Sequence, residues 1–156
     1  MSADHKQYGY NLPPQNILGV TTLLESTTPN TTLITTSRLQ IAAGTYSQEA
    51  NLNLTVTPYL LAPATWYAGK WAAITTYISA FKKPVLAAGD TPGSDTYMHF
   101  NVDLEKGGVR LWVNRTAEKF EQLQGLILDA EDEQRASGLN VTAGERWVYV
   151  APDEIL

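Results

Sequence analysis

The side chains best able to do chemistry gather in one short stretch: Tyr97, His99, Asn101, Asp103, Arg110, Trp112 and Asn114 alternate with apolar neighbours on either side of Glu105-Lys-Gly-Gly108. A period of two places alternate residues on one face of a strand, and a Gly-Gly turn can fold two such runs together. If Leu104 faces Val109, the register continues with Asp103 opposite Arg110, Val102 opposite Leu111, Asn101 opposite Trp112, Phe100 opposite Val113 and His99 opposite Asn114. Every apolar residue then meets an apolar partner, and a carboxylate meets a guanidinium. The resulting face of Tyr and Trp rings beside planar Asn, Asp and Arg groups suits a sugar or a polar protein surface. The seven residues are therefore the expected ligand- or partner-binding set.

Catalytic and metal chemistry finds less support. With His5 and His99 the only histidines and no cysteine, neither a His-rich metal set nor a His-Glu-x-x-His helix can be assembled. There is no Gly-x-Ser-x-Gly elbow, no Gly-x-x-x-x-Gly-Lys phosphate loop and no Gly-x-Gly-x-x-Gly fingerprint. Asp90 and Asp95 sit in Gly89-Asp-Thr-Pro-Gly-Ser-Asp95, but the spacing lacks the repeated oxygen ligands and the later Glu of an EF-hand loop. The acidic run Asp129-Ala-Glu-Asp-Glu133 falls where a helix dipole disfavours negative charge and reads as a hydrated surface. The expectation is no catalytic residue, no metal and no cofactor. The one route to an enzyme is a site assembled only in three dimensions, such as a carboxylate pair or a Ser-His99-Asp group.

The elements that would position these residues follow from periodicity and punctuation. Residues 1–15, with Gly9, Pro13 and Pro14, read as an extended arm, in which Tyr8 and Tyr10 are the expected oligomer contacts. Residues 16–156 read as one domain. Three β-branched runs, 17–24, 32–42 and 51–57, favour strands, broken at 28–30 and 43–47. Tyr67, Trp71, Ile74, Ile78 and Phe81 recur at helical spacing over 65–83, with Thr65 as a cap and Pro84 as a stop. Residues 84–96 read as a loop. A second helix spans 116–137, capped by Thr116, with Phe120, Leu123, Ile127 and Ala130 as its apolar stripe and Gly138 just past its end. A last strand covers 146–151. The expected fold is α+β: antiparallel sheet with two amphipathic helices and an extended N-terminal arm.

Composition sets the class of function. The chain has 156 residues, a formal charge of −5 and 44% hydrophobic residues, enough to bury roughly 68–70% of its unfolded surface without staples. Net acidity with no basic stripe argues against a nucleic-acid partner. The start lacks a basic segment followed by an apolar one, and no apolar run nears the ~18 residues of a membrane span, so synthesis in the cytoplasm and no membrane are expected. Four Asn-x-Thr triplets, at Asn30, Asn53, Asn114 and Asn140, follow from threonine abundance. Charged residues make up only 17%, and threonine fills half of positions 21–36. A surface short of charge tolerates packing against copies of itself.

In this composition, with its aromatic arm and absence of cysteine, the chain resembles small bacteriophage virion proteins: capsid decoration, neck or fibre subunits. The leading expectation is a non-enzymatic homo-oligomeric assembly subunit whose partners are itself and other structural proteins. The alternative is a carbohydrate- or protein-recognition module using the polar face of the 97–114 hairpin, and the third is a small enzyme.

Overall fold

A computed structural model describes residues 12, 16–26 and 34–154. The expected arm over 1–15, including Tyr8 and Tyr10, lies outside the described residues apart from Leu12, as does the expected break at 28–30. The chain divides into two compact units, residues 1–65 and 66–156. It is mixed α and β, with antiparallel pairing in the first unit and parallel pairing in the second. Among the described residues no helix is long and apolar enough to cross a membrane.

In the first unit, β1 (Thr22–Ser26) pairs antiparallel with β2 (Leu54–Leu60), Leu24 facing Val56 and Ser26 facing Leu54. Two short helices, α1 (Ser37–Ala42) and α2 (Gln48–Asn51), lie between them in sequence. The strand expected over 32–42 is thus a correction: among the described residues of that run only Thr35 bridges, to Leu24. The buried Thr36 hydroxyl accepts from the Leu39 amide at 3.1 Å, and a threonine that caps a helix outweighs its own strand propensity. The strand expected over 51–57 is displaced to 54–60, because Ser47 caps α2 through the Ala50 amide and the chain is still turning at Leu52 and Asn53.

The second unit carries a three-stranded parallel sheet in the order β3 (Leu86–Gly89), β4 (Val109–Val113), β5 (Trp147–Val150). Helix α3 (Ala68–Tyr77) precedes β3, α4 (Thr96–Phe100) joins β3 to β4, and α5 (Ala117–Ala136) joins β4 to β5. Leu86 faces Val109, Gly89 faces Trp112 and Val113 faces Val150.

The hairpin over 97–114 does not exist. Residues 96–100 are helical, with the His99 amide bonded to the Asp95 carbonyl at 3.1 Å, and β4 lies between two parallel strands. The Asp103–Arg110 pair goes with it: Asp103 accepts from Lys106 Nζ at 2.7 Å, while Arg110 turns into the core. The purely antiparallel expectation fails here for a physical reason. Val85-Leu-Ala-Ala-Gly89, expected as part of a loop, is a short unalternating run, the pattern of a strand covered on both faces.

The stripe expected over 65–83 is also corrected. Helix α3 stops at Tyr77, where Thr75 Oγ1 donates back to the Trp71 and Ala72 carbonyls, and Phe81 beyond it is 98% exposed. Helix α5 and β5 stand where expected. Thr116 Oγ1 accepts from the Lys119 amide at 3.3 Å, and Gly138 takes φ +67° just past the end. Trp112, Leu123 and Ile127 form the buried cluster, with Phe100, Phe120 and Trp147 packed around it. Each aliphatic side chain so buried contributes about 1.5–3 kcal/mol. The acidic run on α5 is partly paired, Arg135 reaching Glu131 at 2.8 Å and Asp132 at 2.6 Å.

Candidate active site

In an open parallel sheet, side chains and loops converge at the carboxyl ends of the strands, the general location of ligand sites in such sheets. Here β3 ends on Gly89 and runs straight into Asp90-Thr91-Pro92-Gly93-Ser94-Asp95, and β4 ends into Asn114 and Arg115. Asp95 is buried at the start of α4. One of its carboxylate oxygens accepts from the Asp90 and Thr91 amides, each at 2.9 Å, and the other from the Lys70 ammonium on α3. With three donors on one buried carboxylate, the desolvation of the pair is offset by hydrogen bonds as well as charge. Gly89 is required by this arrangement. A Cβ there would lie 2.6 Å from Asp95 Cβ, Cγ and Oδ2.

Asp90, the first residue beyond β3, is partly exposed. Its Oδ1 accepts from the Thr91 hydroxyl at 2.7 Å and its Oδ2 from Arg115 Nη1 at 2.5 Å. The Arg115 hydrogen bond, then that of Thr91, hold its carboxyl below the usual carboxylate range, so Asp90 is ionised at neutral pH. Lys70, Asp90, Thr91, Asp95 and Arg115 thus bring two cations and two anions to one strand edge. Among the described residues no cluster of three or more His, Cys, Asp or Glu side chains could hold a metal. A partly exposed carboxylate such as Asp90 fits only a hard cation that keeps its waters and takes further oxygens from a phosphate.

Beneath the site, His99 on α4 is fully buried between Trp112 and Trp147, ring centroids 6.1 and 5.1 Å away, and neither ring nitrogen has a hydrogen-bond partner among the described residues. Burial pushes its pKa down to about 4, against a smaller opposing pull from Asp95.

The seven residues expected to share a polar face are scattered. Tyr97 is exposed on α4, His99 and Trp112 are core, and the Asn101 side chain donates to the Tyr97 carbonyl at 2.8 Å. Asp103 lies in the turn before β4, and Arg110 is buried against backbone carbonyls. Asn114 alone reaches the carboxyl edge, beside Arg115. No sequence pattern points to Lys70, Thr91 or Arg115, and the spacing of Asp90 and Asp95 fits no calcium loop. The usable signal was an apolar run ending in Gly-Asp, with a second Asp five residues on.

The second unit is thus an α/β unit with a parallel sheet and a lysine–carboxylate cluster at its carboxyl edge. No family model matches the chain. Over 155 residues, 99% of its length, it is 54% identical to the phosphorylcholine phosphatase of Pseudomonas aeruginosa. That stretch is 44% of the relative, so the chain spans less than half of the length of the protein that it matches. This likeness overturns the expectation of a non-enzymatic virion subunit whose partners are copies of itself and other structural proteins. Scarce charge and abundant threonine permit assembly but do not demand it, and identity across nearly the whole chain ties it instead to an enzyme's sequence.

Proposed function

We propose that the carboxyl edge of the second unit is the phosphate-handling part of a phosphatase site for small phosphomonoesters, phosphorylcholine among them. The supporting observation is Lys70, held by the buried Asp95 beside the ionised Asp90 at the end of β3. The likeness to a phosphorylcholine phosphatase gives the substrate class. The overall reaction breaks the ester P–O bond: water supplies an oxygen to phosphorus, and the alcohol leaves with a proton.

Phosphoryl transfer asks the protein chiefly for positioning and for positive charge around the non-bridging oxygens. The Lys70 ammonium supplies that charge from a fixed place, because Asp95 holds it while clamping the Asp90 and Thr91 amides. Arg115 keeps Asp90 ionised. Asp90 is the side chain of this chain that would hold a divalent cation, which would supply further charge neutralisation at the phosphate.

The test is phosphate release from phosphorylcholine by the protein and by its Asp90→Asn and Lys70→Met variants. Asp90→Asn keeps size and removes charge at a partly exposed position, so its fold is expected to hold. Its kcat/KM is expected to fall by about 10²–10³, the scale for losing one electrostatic contributor to a transition state. Retention of activity within about threefold in both variants overturns the reading.

A further inference from the structure

Tyr67 stands at the start of α3 in a backbone conformation, φ 49° and ψ −136°, that a bulky L residue rarely adopts. The strain does not serve burial, since Tyr67 is 60% exposed. What it does is bring the ring against the site loop. Tyr67 Cε1 lies 3.4 Å from where a Cβ on Gly93 would stand, and Gly93, at φ +74°, has none to interpose. Lys70 is three residues on, and its amide donates to the Tyr67 carbonyl at 3.1 Å. The loop from Gly89 to Asp95 therefore meets this turn twice, at Asp95 through the Lys70 ammonium and at Gly93 through an exposed aromatic ring.

A second observation gives the sign of charge the space favours. Gly93 also lines a groove of about 360 Å³ with Pro92, Gln122, Gly125, Leu126 and Asp129. Its one ionisable lining residue is an acid, Asp129, and apart from the amide of Gln122 the rest of the wall is glycine or apolar. An aromatic face attracts a cation through its quadrupole, best of all an alkylammonium whose methyl groups also want apolar contact.

We propose that the Tyr67 ring is a wall of the subsite for the organic group esterified to the phosphate, and that it selects quaternary alkylammonium groups over neutral ones. This rests on the phosphatase reading for the placement of the phosphate near Lys70. Tyr67 is a specificity residue. It takes no proton in the reaction, and the ring matters more than the hydroxyl.

Two variants separate ring from backbone. Tyr67→Phe keeps the ring, and Tyr67→Gly removes it while suiting the positive φ. Binding of choline chloride is measured by ligand-observed NMR on the protein and both variants, with circular dichroism to confirm the fold. The expected result is similar binding by the protein and Tyr67→Phe, and about tenfold or greater weakening in Tyr67→Gly. No choline binding by the unsubstituted protein, or equal binding by Tyr67→Gly, overturns the proposal. Hydrolysis is followed separately with phosphorylcholine and an aryl phosphate without a cationic group. Tyr67→Gly is expected to lower the ratio of kcat/KM for phosphorylcholine to that for the aryl ester by about tenfold. Equal losses on both esters count against selection by the ring. If the protein hydrolyses neither ester, the phosphatase reading fails and choline binding still decides the subsite.

Discussion

Both oxygens of the Asp95 carboxylate are engaged, one by two backbone amides and the other by Lys70, so its placement decides the placement of everything at the strand edge. The residue that allows this is Gly89. Its own backbone is not in the left-handed region, and what it provides is room. Gly89→Ala would set a methyl carbon 2.6 Å from three Asp95 atoms, and the buried Asp95 carboxylate that would have to move is the one that holds the Asp90 and Thr91 amides. The expected cost is about 1–3 kcal/mol of overpacking, read as a lower urea midpoint at unchanged m-value. Phosphate release should fall by more than the folded fraction does, because the displaced carboxylate no longer holds Lys70. A Gly89→Ala protein with unaltered midpoint and turnover would show that the crowding is relieved without moving the site.

At the scale of elements, Arg110 joins three of them. From β4 its Nε donates to the His99 carbonyl of α4 at 2.9 Å, and its Nη1 donates to the Thr142, Ala143 and Glu145 carbonyls at 2.8, 2.9 and 2.7 Å, in the loop that leads to β5. No carboxylate hydrogen-bonds it among the described residues, and burial pulls its pKa down; the planar fork of donors is what makes the burial tolerable. Arg110→Lys keeps the charge and loses the fork. It should cost on the order of 3 kcal/mol in chemical denaturation, since a buried ammonium would leave several carbonyls unpaired. A loss below about 0.5 kcal/mol, the level of an ordinary surface change, would mean that the three elements dock without the guanidinium. The same residue shows what was legible in sequence. The alternation of Val109, Leu111 and Val113 located β4, and the Thr116 cap located α5, because those signals are local. Period two does not say which strand is the neighbour, however, and an Asp opposite an Arg across a Gly-Gly turn made the wrong neighbour look right. The site was hidden for a related reason: Lys70 and Asp95 are twenty-five positions apart and meet only because α3 packs on α4.

At the scale of the whole molecule, the buried imidazole makes global stability depend on pH in a window of its own. The groups facing His99 are Asp95 at the start of α4, Arg110 on β4 and Lys70 on α3, and burial together with the two cations outweighs the one anion. Its pKa falls from an ordinary 6.5 to about 4 in the folded protein. The unfolded chain therefore binds a proton that the folded chain refuses as pH drops between these values. Stability is complete above pH 6.5, declines through the window, and by about pH 4 has lost on the order of 3 kcal/mol. Asp90 and Asp103, whose pKa values are lowered from 3.8, act in a different range: their contributions hold above 3.8 and are lost only as pH falls further. His99→Phe isolates the first effect. It keeps a ring between Trp112 and Trp147, cannot take up a proton, and removes two ring nitrogens that have no partner among the described residues. The measurement is the difference in unfolding free energy between the protein and His99→Phe at pH 7, 6, 5 and 4, which cancels every group common to both. That difference should move in favour of Phe by about 3 kcal/mol from pH 7 to pH 4. Parallel profiles would place the imidazole's proton uptake outside the folded core and remove the His99 ring as the acid-sensitive part of the parallel-sheet unit.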